Sequence, residues 1–484
     1  MFKKFLSALL ICITLLSLNL AGCGGGKTAR TNYEITASYS SGVVTGTANV
    51  EFYNSTENTF KELKFNLFAN AFRKGATHLP INTQYAHQAY YAGESYGDMQ
   101  ILSVYSGETA LENEIKGEDE NILVVTLLEE VFPEESVTVT INYKITLAKV
   151  NARTGITAHT VNLANFYPVL CGIDKNGFFE CVYYATGDPY FSDCADYEVT
   201  FSTPLEYVVA SSGTLLSSTE ADGVRTQKYS LSNARSFALV ASTEFEILTQ
   251  TIGGKTVNYY YYNDNSPEES LKTAILSLSY FGETFGDFAY DTLAVVETGF
   301  VQGGMEFPAL VMISDALEEG AYKEVIVHET AHQWWMAGVG NNEILYPFLD
   351  EALAEYSVVL FYENHAEYGF TRESLMDISK KTYNVFCSVY EKLFGNVNTA
   401  MLRSLGEYTS EYEYVNVTYV KGAIMFDELR KFVGDEKFFK ALKDYYEDYC
   451  YKNACPDDLI SVFERYGKGA EGFINGFLEG KVIL

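Results

Sequence analysis

Basic residues are in short supply. Only 34 Lys and Arg stand against 64 Asp and Glu, a formal charge of −30 over 484 residues. A field of that sign repels phosphate backbones, so nucleic acid is excluded as an expected partner. Proline is limited to nine residues and charged residues to 20%, which excludes collagen-like and low-complexity classes. With 47% hydrophobic residues the chain has enough apolar material for the cores of two to three domains. No stretch from Lys27 onward is long and apolar enough to cross a bilayer, for which about 20 residues are needed. Histidine is scarce, at six residues. What abounds is aromatic: 38 Tyr and 32 Phe favour strands and recognition grooves without identifying either.

The N-terminus reads as an export signal. Lys3 and Lys4 precede an apolar run from Phe5 to Leu18, and Leu20, Ala21, Gly22 and Cys23 follow. This segment resembles a bacterial lipoprotein signal, which implies cleavage of residues 1–22 and a lipid on Cys23. An uncleaved N-terminal anchor is the alternative. Residues 23–32, with Gly24, Gly25 and Gly26, make a flexible tether. The expected location is extracytoplasmic, anchored by lipid to the cell membrane. Loss of residues 1–22 removes two lysines and no acids, for a mature charge of −32. Cys12 leaves with the signal and Cys23 carries the anchor. Cys171, Cys181, Cys194, Cys387, Cys450 and Cys455 remain, with no CxxC pair among them. Cys450 with Cys455, or two of the first three, could form a disulfide, and buried free thiols are an equal expectation.

Residues 33–245 read as an antiparallel β domain. Tyr33, Ile35, Ala37 and Tyr39 alternate with polar residues, as do Val137, Val139, Ile141 and Tyr143. Near residue 245 the period changes. Ser266, Pro267 and Glu269 predict a capping box, followed by Leu271, Ile275, Leu278 and Phe285 at helical spacing. Val295–Glu297 and Leu310–Ile313 still read as strands, so residues 246–484 are expected to be α+β around a small sheet.

Residues 328–332 read His-Glu-Thr-Ala-His, in a segment expected to be helical from Ala321 to Trp335. Two His four apart share a helix face, about 6 Å of rise between them, so both imidazoles can reach one ion with Glu329 beside it. A catalytic zinc takes three protein ligands and leaves a position for water. Glu351, at the start of the next expected helix, is the candidate third ligand, because the intervening loop Val339–Pro347 is long enough to turn the chain back. His78, His87, His159 and His365 read as ordinary surface or core residues. Glu355, one turn past Glu351, is a candidate acceptor for the second ring N–H of a zinc-bound His.

At this point the residues resemble the M1 family of zinc aminopeptidases, within the gluzincin group, whose signature is an HExxH motif followed at a fixed interval by Glu, the interval that separates His332 from Glu351. Gly303, Gly304, Met305, Glu306 and Phe307 resemble the family's GxMEN exopeptidase motif, and Thr418–Ala423 its YxKG segment. Asp188–Pro204 resembles its N-terminal β domain. The resemblance implies a thermolysin-like catalytic domain holding one Zn²⁺ on His328, His332 and Glu351, with Glu329 as general base and Tyr419 as oxyanion stabiliser. It implies peptide substrates, bound through Glu306, Gly303, Gly304 and Met305, with Glu306 on the free α-amine. Without the family, Tyr419 reads as core at the start of a buried helix with Val420, Ile424, Leu429 and Phe432.

Two departures qualify these expectations. Phe307 replaces the Asn of GxMEN, removing a polar group near the substrate backbone. The sequence after Tyr419 is too short for the further β and helical domains of larger members, so a more open groove is expected. The rival readings are an open-cleft endopeptidase of the same fold and a non-catalytic surface binding lipoprotein with structural zinc. Oligomeric state is not legible.

Overall fold

The computed structural model describes residues 29–482. The signal segment and Cys23 lie outside these residues.

The first half is sheet. Along Asn32–Ser40 the side chains of Tyr33, Ile35, Ala37 and Tyr39 are buried, while their even-numbered neighbours face solvent or its edge. This is the half-buried pattern that period-two alternation dictates. Eight strands form the main sheet, in the order 214–221, 224–234, 195–204, 32–40, 43–53, 136–146, 98–106 and 109–110. Pairing is antiparallel throughout, apart from Asn32–Ser38 beside Asp196–Ser202, which run parallel. Two four-stranded sheets and a two-stranded one, Ile173–Asp174 with Gly177–Phe178, complete this half.

The strand Glu246–Ile252 opens a five-stranded mixed sheet with Lys255–Tyr261, Thr292–Thr298, Leu310–Ser314 and Gly304–Met305. Helices follow: α1 (Pro267–Phe285), α2 (Glu319–Ala331), α3 (Phe348–Asn364), α4 (Arg372–Phe394), α5 (Glu411–Val415), α6 (Lys421–Val433), α7 (Asp435–Tyr449), α8 (Pro456–Tyr466) and α9 (Ala470–Leu478). The chain is an N-terminal β domain followed by a helical domain built on a small sheet.

Three local expectations are corrected. The capping box at Ser266 does not form. Asp264 takes its place, accepting from Ser266 N at 2.8 Å and from Ser270 Oγ at 2.6 Å, while Glu269 pairs with Lys272. The metal-motif helix stops at Ala331 rather than Trp335. Ala337 N bonds to His332 O, Met336 takes a positive φ of 142°, and the ladder gives way where two buried indoles are anchored to different neighbours. Trp334 Nε1 donates to Gly286 O and Trp335 Nε1 to Ser357 Oγ. Phe432 is not core: it is 50% exposed and stacks on Phe473. The six cysteines in the described residues are all free thiols, the second of the two equal expectations for them.

Candidate metal centre and cleft

Helix α2 presents His328, and its C-terminal cap presents His332 still in helical conformation. The loop after it returns the chain so that α3 packs on α2. Glu351, in the first turn of α3, then meets both histidines. His328 Nε2 and His332 Nε2 are 3.1 Å apart, and Glu351 Oε2 lies 3.3 Å from the first and 3.2 Å from the second. A tetrahedral zinc with bonds of about 2.0–2.1 Å separates its ligand atoms by about 3.3 Å. The three atoms therefore fit one face of such a tetrahedron, and the donor set of two imidazoles and a carboxylate is one zinc accepts.

The groups behind these ligands fix their orientation. His332 Nδ1 donates to Trp335 O at 2.8 Å, leaving Nε2 for the centre. His328 Nδ1 faces Glu355 Oε2 at 3.3 Å. Outer contacts of this kind set the tautomer and basicity of a ligating imidazole. Burial works against charge on His328, but the hydrogen bonds to Glu351 and Glu355 outweigh it and lift the pKa well above the imidazole range. For His332, burial is likewise overcome, by Glu306 and Glu351, and the pKa rises to about 10. In both cases the cause is a surplus of carboxylate around the rings, and the same surplus favours a dication among them.

Glu329 is 5% exposed and its Oε2 has no partner. Burial, then the charge of Glu306, pushes its pKa up to about 8. Gly304 lies over it: a Cβ there would collide with Glu329 Oε1 and stand 2.5 Å from its Cδ. Gly303, at φ +96°, supplies the turn that brings the short strand Gly304–Met305 to this point, antiparallel to Leu310–Ser314. Met305 points away into an apolar cluster with Phe307, which is buried and 6.3 Å from the Tyr190 ring. Glu306 is 4% exposed with Oε1 unpartnered, and lines the same cavity as the histidines.

Tyr419 reaches the centre from α6's side of the cleft. Its hydroxyl donates to Glu351 Oε1, and its ring stacks 5.8 Å from that of His328. It sits in a single π-helical turn, Asn416–Val420, between α5 and α6. Such turns shift the register of the following side chains and recur at functional sites. Lys421, just beyond, is buried and donates to Thr399 O at 2.5 Å and Phe477 O at 3.0 Å, pinning the start of α6 to α9.

The structure thus brings together His328, His332, Glu351, Glu329, Glu306, Gly303, Gly304 and Tyr419, with Met305 behind the wall. It keeps other histidines away: His78 bonds to Asp119, His159 to Glu244 and His365 to Phe361 O. Several residues around the centre had no sequence signal that tied them to it. Arg153 and Asp188 come from the strand-rich half, pair at 2.5 Å and form part of the cleft wall. Glu343 and Asp350 bring carboxylate oxygens within 4.8 Å of Glu306, and burial raises the pKa of both. No local pattern marks a carboxylate whose meaning comes from a partner elsewhere in the chain. Asp350, adjacent to Glu351, offered the only hint.

Comparison with known proteins agrees with this geometry. The profile of the peptidase family M1 domain matches residues 269–477. Aminopeptidase M1-D of Oryza sativa subsp. japonica is 25% identical over 302 residues, which are 56% of this chain and 32% of that protein. Endoplasmic reticulum aminopeptidase 2 of Homo sapiens is 28% identical over 238 residues, 44% of this chain and 23% of that one. The chain thus spans about a third or less of the length of these curated relatives. The M1 zinc metallopeptidase of Deinococcus radiodurans shares the fold over 94% of both chains, with a TM-score of 0.66 at 16% identity. Residues 269–477 thus match the peptidase family M1 domain, and the chain shares over 94% of its length the fold of an M1 zinc metallopeptidase.

Proposed function

We propose that the chain is a zinc aminopeptidase that removes N-terminal residues from peptides outside the cytoplasm, held at the membrane by a lipid on Cys23. The observation that carries the catalytic reading is the position of Glu329: buried, unpartnered on Oε2, and beside three ligand atoms spaced for zinc.

His328, His332 and Glu351 would hold a zinc ion, which when bound would supply Lewis acidity and bring the pKa of water near 7. Glu329 takes the proton of the attacking water and delivers it to the departing amine. The carbonyl oxygen becomes negative as water adds, and Tyr419 O–H turns from Glu351 to donate to it. Glu306 faces the cleft with an open carboxylate oxygen, and an α-amine with pKa near 8 is mostly cationic at neutral pH. That pairing measures the peptide from its N-terminus. Gly303 and Gly304 bring the backbone against the substrate, and Arg153 with Asp188 closes the same wall from the β half. With the domain division at residue 245, this cleft lies between the two halves.

The test is hydrolysis of aminoacyl-arylamides. Activity is expected to vanish with a chelator and return with zinc, and Glu329→Gln is expected to keep the metal while losing hydrolysis. Near wild-type turnover by that variant removes the mechanism. Glu306→Ala is expected to lose activity only on peptides with a free amine; equal loss on N-acetylated peptides removes the exopeptidase reading in favour of an endopeptidase. Release of the protein into the soluble fraction by Cys23→Ala tests the anchor.

A further inference from the structure

The wall that carries Glu306 borders a second space. Met305 and Phe307, its neighbours in sequence, line a small cavity of about 20 Å³ that shares no residue with the cleft and has room for one water-sized occupant. Asn165 and Glu343 line it too, 3% and 5% exposed, and neither Asn165 Oδ1 nor Glu343 Oε2 has a hydrogen-bond partner. A buried acceptor without a donor is costly, and a charged one more so. Arg235 also lines the cavity, but its guanidinium is committed to Met336 O, Gly338 O, Lys452 O and Asn453 Oδ1.

Glu343 is also one of three carboxylates that converge. An oxygen of Glu343, one of Glu306 and one of Asp350 all lie within 4.8 Å of one another, and the three residues are only 2–5% exposed. They come from separate segments: the end of the short strand Gly304–Met305, the loop after the metal motif, and the first turn of α3. Glu306 Oε1 is unpartnered like Glu343 Oε2, and Asp350 Oδ1 accepts from Glu351 N at 2.9 Å. Arg153 in the cleft wall pairs with Asp188 instead. Among the described residues no Lys or Arg forms an ion pair with any of the three.

We infer that Glu306, Glu343 and Asp350 form a second cation site, distinct from the centre at His328, His332 and Glu351, and that its occupant is calcium. The donors are all oxygen, which suits a hard cation and not zinc. Calcium binds oxygen at about 2.3–2.6 Å in flexible geometry, so two of its ligands can stand nearly 5 Å apart, whereas magnesium demands a tighter octahedral cage at about 2.0–2.1 Å. The spread of the three oxygens accommodates calcium. A calcium-bound water in the adjoining cavity would give Asn165 Oδ1 the donor it lacks.

The ion ties together the wall that carries Glu306, the loop that carries Glu343 and the helix that carries the zinc ligand Glu351. Its binding therefore stabilises this side of the fold by mass action. The site goes beyond the aminopeptidase reading and does not need it, because the second oxygen of Glu306 remains for the cleft whether or not an α-amine binds there.

The test adds calcium chloride to the zinc-loaded protein after excess metal is removed, and follows heat of binding and melting temperature. Expected is one calcium per chain with Kd on the order of 10⁻⁴–10⁻³ M, as in extracellular calcium modules. The melting temperature should rise by a few degrees at saturation, and much less with magnesium. Glu343→Gln keeps the shape and removes one charge, so it should weaken calcium by about tenfold or more and flatten the melting response, with zinc content unchanged. Wild-type crystals soaked in terbium chloride, a calcium substitute with strong anomalous scattering, should show a peak between the three carboxylates. No calcium binding overturns the inference, since protons then neutralise the cluster. Calcium affinity untouched by Glu343→Gln overturns it too, since the ion then sits on exposed acids. A terbium peak found only elsewhere does the same, and decides the matter even if the variant does not fold. None of these readouts uses hydrolysis: a protein that binds calcium here but cleaves no arylamide removes the aminopeptidase reading and leaves this site in place.

Discussion

Gly304 sits directly over Glu329, so close that a methyl group at position 304 would take the space of the Glu329 carboxylate. The short strand that leads into Glu306 therefore also limits where the candidate base can stand, and the two motifs act as one piece.

Gly304→Ala should consequently behave as a displaced-base mutant. We expect kcat to fall about a hundredfold, the lower end of what general-base loss costs, with zinc content unchanged. Steady-state kinetics alongside metal analysis checks this. Full activity would mean that Glu329 has another way to stand.

Tyr419→Phe removes one hydroxyl and keeps the ring stacked on His328. Loss of one oxyanion donor costs about 10²–10³ in kcat, and KM should change little. An equal rise in KM would assign the hydroxyl to substrate binding rather than to the developing charge.

Glu355 acts through His328. Glu355→Gln should weaken zinc about 10–100-fold, as outer partners of metal ligands do, with the fold intact. Competition with a chromophoric chelator reads this directly, and unchanged affinity would leave Glu355 a bystander.

Lys421 gives a stability signature in alkali. Burial lowers its pKa from 10.5 to about 8. Between these values the unfolded chain holds more protons than the folded one, so this lysine adds stability as pH rises through that window and withdraws it as pH falls through about 8. Denaturant midpoints for wild type should rise relative to Lys421→Met from about pH 7 to about pH 10. Parallel curves would show that the ammonium is as well solvated by Thr399 O and Phe477 O as by water.

Much of the centre was legible along the chain because its spacing is a property of one helix and one return. His328 and His332 share a face through the helical period, and the short path from His332 to Glu351 leaves little freedom once α3 is packed on α2. The same holds for the sheet at Tyr33–Tyr39, where side chains must alternate. Boundaries were less legible. The end of α2 at Ala331 is decided by where two indoles find their partners, Gly286 and Ser357, and neither is a neighbour in sequence. The cap of α1 passed to Asp264 for a similar reason: its carboxylate reaches both Ser266 N and Ser270 Oγ.

By itself, then, the order of residues determined the candidate ligands and the candidate base, since those depend on short-range periodicity and on chemically rare side chains in a chain with six histidines. Only the tertiary structure decided what surrounds them. It placed Arg153 and Asp188 from the β half in the wall, turned Tyr419 inward through a π-helical turn, and brought Glu343 and Asp350 up to Glu306. Electrostatic meaning is a sum over neighbours in space, and a carboxylate has the same letter whether it is solvated, paired or waiting for a cation.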